Sequence, residues 1–142
     1  MVGILILTHG QMADELLASA RKILCSDLQG FNSLTLDWDE TFEGASKLVE
    51  EALEPLEQGS GVLILTDIYG GTPTNVALEF LQAGRVEVIS GVNLPMVVRL
   101  GCLFSSQSTL PLPELSTWIE GKGKASICSG RSSKKPPRKL GC

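Results

Sequence analysis

The chain has 142 residues, 43% of them hydrophobic and 20% charged, which is typical of one globular domain with its own core. No apolar stretch approaches the roughly 18 residues of a membrane-spanning helix and the N terminus lacks the basic flank of a signal peptide, so we expect a cytoplasmic protein. All 16 acidic residues precede Ser129, and several of the 12 basic residues lie within positions 131–139. The part of the chain before Ser129 is therefore acidic, which disfavours nucleic acid as its main ligand.

Four short apolar runs predict β-strands. The first and third runs are continuously apolar rather than alternating, as expected for central parallel strands that helices cover on both faces. The predicted strands occupy residues 2–7, 33–36, 61–66 and 86–89. A further short strand is expected over residues 125–128 near the C-terminal end.

Helical patterns fill the intervals between these runs. Residues 13–24 and 43–56 each place their apolar side chains on one stripe. A third helix is expected to begin with Thr72 as its N-cap and Pro73 as its first helical residue. A short helix is expected to open at Asn93-Leu94-Pro95, and another is expected over residues 113–120.

The alternation of strands and helices predicts an α/β fold with an open, doubly wound parallel sheet. Right-handed crossovers with helices on both faces favour the strand order 2-1-3-4. The chain then reverses direction between the first and third strands, and ligands bind at such switch points in open α/β sheets. His9 follows the first strand and Asp67 follows the third. The topology alone therefore predicts that His9 and Asp67 meet.

The chemistry of this predicted pair favours a nucleophilic histidine. An imidazole is nucleophilic when one ring nitrogen is unprotonated and faces outward, and a carboxylate that accepts the opposite N–H fixes that tautomer. We therefore assign His9, the only histidine, as the nucleophile and Asp67 as its orienting acceptor. Alone, a single histidine is more often structural and an aspartate at a strand end is often a turn residue. The pairing favours the functional interpretation.

The residues that follow Asp67 indicate an anion site. Gly70 and Gly71 let the backbone approach a ligand, and the helix after them offers free N–H groups and the positive end of its dipole. The hydroxyl groups of Thr8 and Thr72 are further candidate donors to a phosphoryl group. A Gly-Gly pair alone is also compatible with a simple tight turn.

A metal or other cofactor is not required by this design. One histidine and one carboxylate cannot enclose a metal ion. The cysteines are far apart in the sequence and form no CxxC pair. They are Cys25, Cys102, Cys128 and Cys142.

Three ordered motifs resemble a known family. They are Gly-Ile-Leu-Ile-Leu-Thr-His-Gly at 3–10, Gly-Val-Leu-Ile-Leu-Thr-Asp-Ile-Tyr-Gly-Gly-Thr-Pro-Thr-Asn at 61–75 and Val-Ile-Ser-Gly-Val-Asn-Leu-Pro-Met at 88–96. Over about residues 1–120 the chain is similar to the mannose-family IIA domain of the bacterial phosphoenolpyruvate-dependent sugar phosphotransferase system (PTS). The resemblance implies that His9 accepts a phosphoryl group from the phosphocarrier protein HPr and passes it to a IIB domain. It implies a supporting role for Asp67, and Thr72 occupies the hydroxyl position of the family's Asp-x-x-Gly-Gly-[Ser/Thr]-Pro motif.

The resemblance also implies an assembly. Family members form homodimers that exchange a C-terminal antiparallel strand, and they act with membrane components, IIC and IID, through IIB. We therefore expect a IIA domain over residues 1–128. Residues 129–142 are basic and rich in Gly, Ser and Pro, a composition typical of a disordered tail.

Other functions stay open at this point. In a regulatory binding module, phosphorylated and free His9 would select different protein partners without onward transfer, and tests with a IIB acceptor separate the two. A nucleotide or flavin domain at the same switch point is disfavoured because the chain lacks a GxGxxG motif and a phosphate-loop lysine. The IIA-like domain of the dihydroxyacetone-kinase phosphodonor shares the architecture, but the sequence around His9 is closer to the sugar-transport branch.

Overall fold

Strands and helices alternate along the chain as far as β4, and two helices follow. The computed structural model describes residues 1–131. The strands are β1 (Gly3–His9), β2 (Phe31–Leu36), β3 (Val62–Thr66) and β4 (Val86–Ser90). The helices are α1 (Met12–Leu24), α2 (Phe42–Leu53), α3 (Thr72–Glu79), α4 (Leu94–Ser105) and α5 (Leu112–Ala125).

The four strands form one parallel sheet in the order β2-β1-β3-β4, which confirms the predicted fold class and strand order. Side chains of β1 alternate between two cores because successive residues of a strand face opposite sides. Ile4 and Ile6 pack in the core with α1, α4 and α5. Leu5 and Leu7 pack in the core with α2 and α3. Both faces of the central strands are therefore covered, which explains their continuously apolar sequences.

The predicted start of α4 is confirmed, but the helix is longer than expected. Asn93 is the N-cap residue, and its side chain accepts a hydrogen bond from the backbone N–H of Met96 at 3.1 Å. The helix then runs for 12 residues. Its length follows from burial, because Met96, Val97 and Leu100 pack into the core beneath α1 and α5.

The predicted strand over residues 125–128 is wrong. Helix α5 continues to Ala125, and no further strand joins the sheet within residues 1–131. Gly123 lies within this helix and is buried, and a Cβ there would lie 2.6 Å from the Met96 sulfur. Close packing of α5 on α4 therefore outweighs the low helix propensity of glycine. Exchange of a strand between two subunits stays a prediction.

The predicted tail, residues 129–142, lies largely outside the described residues, which end at 131. Within the described part, no helix combines the length and the apolar character needed to cross a membrane.

Candidate functional site

His9 and Asp67 meet where two neighbouring strands end. His9 is the last residue of β1, and Asp67 directly follows β3, which pairs with β1 in parallel. One oxygen of Asp67, Oδ2, accepts a hydrogen bond from the backbone N–H of His9 at 2.9 Å and lies 2.8 Å from the ring Nδ1. The predicted juxtaposition is therefore present, and it involves both the main chain and the side chain of His9.

This contact selects a tautomer of the imidazole. A carboxylate oxygen only accepts hydrogen bonds, so Nδ1 carries the proton that it donates to Asp67. In the neutral ring, Nε2 then holds a free lone pair. The His9 side chain is 19% exposed, so it reaches solvent from a mostly enclosed position. The site presents one nucleophilic nitrogen in a fixed orientation.

Asp67 is held in its charged form by its surroundings. Burial alone would raise the pKa of Asp67, but hydrogen bonds from the backbone and ring of His9 and from the backbone of Ile68 outweigh burial and lower it. The Ile68 bond is donated to the second carboxylate oxygen, Oδ1, at 2.8 Å. The carboxylate is therefore ionised at neutral pH and ready to offset positive charge on the imidazole.

Thr8 lies beneath His9 and faces inward. It is fully buried, its hydroxyl accepts a hydrogen bond from the backbone N–H of Ala13 at 2.8 Å, and it donates one to the His9 carbonyl at 3.0 Å. The predicted direct contact between this hydroxyl and a phosphoryl group does not fit that arrangement. Thr8 instead satisfies a backbone donor at the start of α1 and fixes the backbone of His9.

The loop between β3 and α3 carries Gly70 and Gly71 to the site. Gly70 has a backbone φ of +88°, a conformation that favours glycine. Gly71 lies directly against the edge of the His9 ring. The buried hydroxyl of Thr74 lies 2.7 Å from the hydroxyl of Thr66 and donates to the Ile68 carbonyl at 2.7 Å. Sequence reasoning missed Thr74, which ties both ends of this loop together.

Thr72 lies one position after the N-cap of α3, the position that was predicted for it. The N-cap of α3 is Gly71, Thr72 and Pro73 are the first helical residues, and no side chain makes a capping hydrogen bond. The expectation of a Thr72 cap is therefore wrong, because the extended backbone that an N-cap requires falls on Gly71 at φ −81° and ψ 165°. Thr72 is half-buried at the start of α3. It directly follows Gly71, the residue that lies against the His9 ring.

Two helix N termini flank the imidazole. Helix α1 begins at Met12, three residues after His9, and α3 begins immediately after Gly71. The first backbone N–H groups of a helix have no partner within it, and the helix dipole is positive at this end. A phosphoryl group on Nε2 would therefore lie near two sources of positive potential.

Trp38 is a second residue that sequence reasoning missed. Its indole stacks on the His9 imidazole with 4.9 Å between ring centroids and 13° between ring planes. The residue lies in the polar loop after β2, where no motif marks it. The predicted strand order could have placed Trp38 near His9. Strand β2 borders β1, and His9 pairs with Leu36, two residues before Trp38.

Exposed apolar side chains lie in the segments that adjoin His9. Met12 at the start of α1 is 50% exposed, and Ile68 and Tyr69 in the β3–α3 loop are 61% and 78% exposed. Large exposed apolar side chains around a reactive group are typical of a surface that contacts another protein. In the part of the chain that the structure describes, no cluster of three or more His, Cys, Asp or Glu residues could hold a metal ion.

The chain is similar in sequence to proteins of one known family. Residues 3–112 match the EIIA-man family model, described as "PTS system fructose IIA component". The chain is 34% identical over 98 residues to the PTS system mannose-specific EIIAB component of Escherichia coli K12, and the match covers 68% of this chain and 30% of that protein. The chain therefore spans less than a third of that relative's length.

Two solved structures share the fold over nearly their whole length. The mannose/sorbose-specific IIA subunit from Enterococcus faecalis has a TM-score of 0.78 at 24% identity, covering 96% of this chain and 98% of that one. The PTS IIA protein associated with the fucose utilization operon of Streptococcus pneumoniae has a TM-score of 0.75 at 28% identity, covering 92% and 97%. The first of these likenesses concerns the fold alone.

Proposed function

The chain belongs to the EIIA-man family of phosphotransferase-system IIA components, and from that premise we propose that it is a phosphocarrier in which His9 accepts a phosphoryl group from phosphorylated HPr and transfers it to a IIB domain. The observation that carries the proposal is the Nδ1 contact of His9 with Asp67 at 2.8 Å, which in the neutral ring leaves the lone pair on Nε2. The attacking atom is therefore Nε2.

The transfer needs no proton to leave the site. As the bond from Nε2 to phosphorus forms, the bond from phosphorus to HPr breaks, and the Nδ1 proton stays in its hydrogen bond to Asp67. The imidazole thereby becomes positively charged, and the Asp67 carboxylate offsets that charge. Transfer onward to IIB is the reverse process toward another nucleophile.

Phosphoryl transfer of this kind depends on positioning and charge. Asp67 fixes the ring, and Gly71 brings the start of α3 against its edge. The N termini of α1 and α3 stabilise negative charge on the transferring group. Gly70, Gly71 and Thr72 are in this proposal the residues that border the phosphoryl group, and Thr8 acts beneath them by holding His9.

The surface around His9 fits a protein donor and acceptor. Apolar contact would come from exposed side chains such as Tyr69 and Met12, and acidic residues Asp37 and Asp39 flank Trp38 in the same region. A partner with a basic face would be favoured. We further propose a cytoplasmic homodimer that reaches membrane components IIC and IID through IIB.

Mass spectrometry of the intact protein tests the first step. Wild type and His9→Ala are incubated with phosphoenolpyruvate, enzyme I and HPr, and any adduct is tested for acid lability. We expect one acid-labile phosphoryl group on wild type and none on the folded His9→Ala protein. Absence of an adduct on wild type, with HPr itself phosphorylated, contradicts the proposal.

Onward transfer needs a separate experiment. Purified phosphorylated protein is mixed with IIB proteins of the mannose family, in the absence of HPr, and the loss of its phosphoryl group is followed together with the gain by IIB. Transfer to at least one IIB protein is the expected result. Stable phosphorylation without any transfer supports the regulatory binding module instead.

A further inference from the structure

Trp38 occupies an unusual position for a large apolar residue. Its side chain is 81% exposed and belongs to neither hydrophobic core, although burial is the main stabilising contribution of most tryptophans. Its ring stacks on the His9 imidazole, with 4.9 Å between ring centroids and 13° between ring planes. The fold therefore holds an indole in solvent over one face of the reactive imidazole.

The backbone beneath Trp38 supports this placement. The backbone N–H of Gly10 donates to the Leu36 carbonyl at 3.0 Å, which joins the ends of β1 and β2. Gly10 has a φ of +54°, and a Cβ built on it would lie 3.7 Å from the indole nitrogen of Trp38. The indole thus rests over the chain where it leaves β1. Pairing of the two strands brings Trp38 near His9, and the conformation of the loop after β2 sets the stack.

We propose that Trp38 is a positioning residue that stabilises the phosphorylated form of His9 more than the free form. This inference rests on the proposed function. Phosphorylation at Nε2, with the Nδ1 proton retained by Asp67, makes the imidazole cationic. The face of an indole attracts a cation more strongly than a neutral ring. Trp38 therefore shifts the equilibrium between phosphorylated HPr and His9 toward His9, and it also holds the ring plane that directs Nε2.

The equilibrium constant for transfer from HPr measures this effect. HPr and phosphorylated HPr are mixed at known concentrations with each variant, without phosphoenolpyruvate or enzyme I, and both proteins are quantified by intact mass. For Trp38→Ala we expect the constant to fall about two- to fivefold, the range of an exposed cation–π contact. Trp38→Phe should restore part of the loss, because it keeps an aromatic face.

Trp118 provides a matched control. It lies on α5, where the Lys122 ammonium is 6.0 Å from its ring, and Trp118→Phe should leave the equilibrium unchanged. The same variant makes Trp38 the sole tryptophan. Its fluorescence should change when His9 is phosphorylated, whereas the fluorescence of Trp38→Phe, with Trp118 alone, should not.

The stack itself can be measured without any phosphoryl transfer. In proton NMR of the unphosphorylated protein, the ring-current shift of the His9 ring protons should be present in wild type and lost in Trp38→Ala. An unchanged His9 spectrum overturns the inference, and so does an equilibrium constant equal to that of wild type. If wild type is not phosphorylated at all, the proposed function fails and this inference fails with it. If wild type is phosphorylated but Trp38→Ala has the same equilibrium constant, only the inference about Trp38 fails.

Discussion

Gly71 lies so close to the imidazole of His9 that a Cβ built on it would stand 2.7 Å from Cε1 and 3.4 Å from Nε2. The first distance is shorter than any normal contact between carbon atoms, so a side chain at this position would displace either the ring or the loop. Glycine is therefore required here by the histidine and not by its own backbone, since φ at Gly71 is −81°.

Gly71→Ala should reduce the rate of phosphorylation of His9 by about tenfold or more, because small displacements of a reacting group are costly. The fold should persist, since the added methyl group meets a partly exposed ring. The rate is measured by intact mass during incubation with phosphorylated HPr.

Gly121→Ala is the control, because a Cβ there meets open space on α5. That variant should transfer normally and gain up to about 1 kcal/mol of stability. Wild-type rates in Gly71→Ala would contradict the steric argument.

Asp67→Asn should slow phosphorylation while it preserves the shape of the site. The amide oxygen can still accept a hydrogen bond from His9, but it carries no charge to offset the cationic ring. We expect a loss of about 10- to 100-fold, similar to the loss when a residue that orients a metal-bound histidine is removed. Rapid-quench measurements give the rate, and circular dichroism checks the fold. A rate within about twofold of wild type would exclude electrostatic support by Asp67.

The lowered pKa of Asp67 predicts how stability depends on pH. A carboxyl group whose pKa is lower in the folded state stabilises the fold above its unfolded value, near 3.8, and this contribution is lost as pH falls through the folded value. Wild type should therefore be more stable than Asp67→Asn at pH 6, and the difference should shrink as the pH falls below about 4. Urea unfolding at several pH values measures it. A difference that grows on acidification would reverse the expected sign.

Much of this site follows from strand order alone. The order 2-1-3-4 places the ends of β1 and β3 together, so His9 and Asp67 could be paired before any side chain was located. The inward direction of the Thr8 side chain could also be predicted from the sequence. Strand residues alternate between the two faces of the sheet, and Thr8 shares its face with the buried Ile6. Strand order also places Trp38 near His9, because His9 pairs with Leu36 two residues before it, but the stacking of the two rings depends on the conformation of the irregular loop after β2.

Thr74 offers a test of how firmly the β3–α3 loop must be held. Its hydroxyl is buried between the Thr66 hydroxyl and the Ile68 carbonyl, both at 2.7 Å. Thr74→Val keeps the shape but leaves two polar groups without this partner, so we expect a loss of about 1–3 kcal/mol in unfolding free energy. The loop carries Asp67 and Gly71, so phosphorylation should slow as well.

Thr117→Val is the matched control for Thr74→Val. Thr117 is exposed on α5, and its hydroxyl donates to the Pro113 carbonyl at 3.1 Å within the same helix. Its loss should change stability by less than about 0.5 kcal/mol and leave phosphorylation intact. Both variants are compared by urea unfolding and by rate. If Thr74→Val is destabilised but transfers its phosphoryl group at the wild-type rate, the hydroxyl supports the fold without positioning the site.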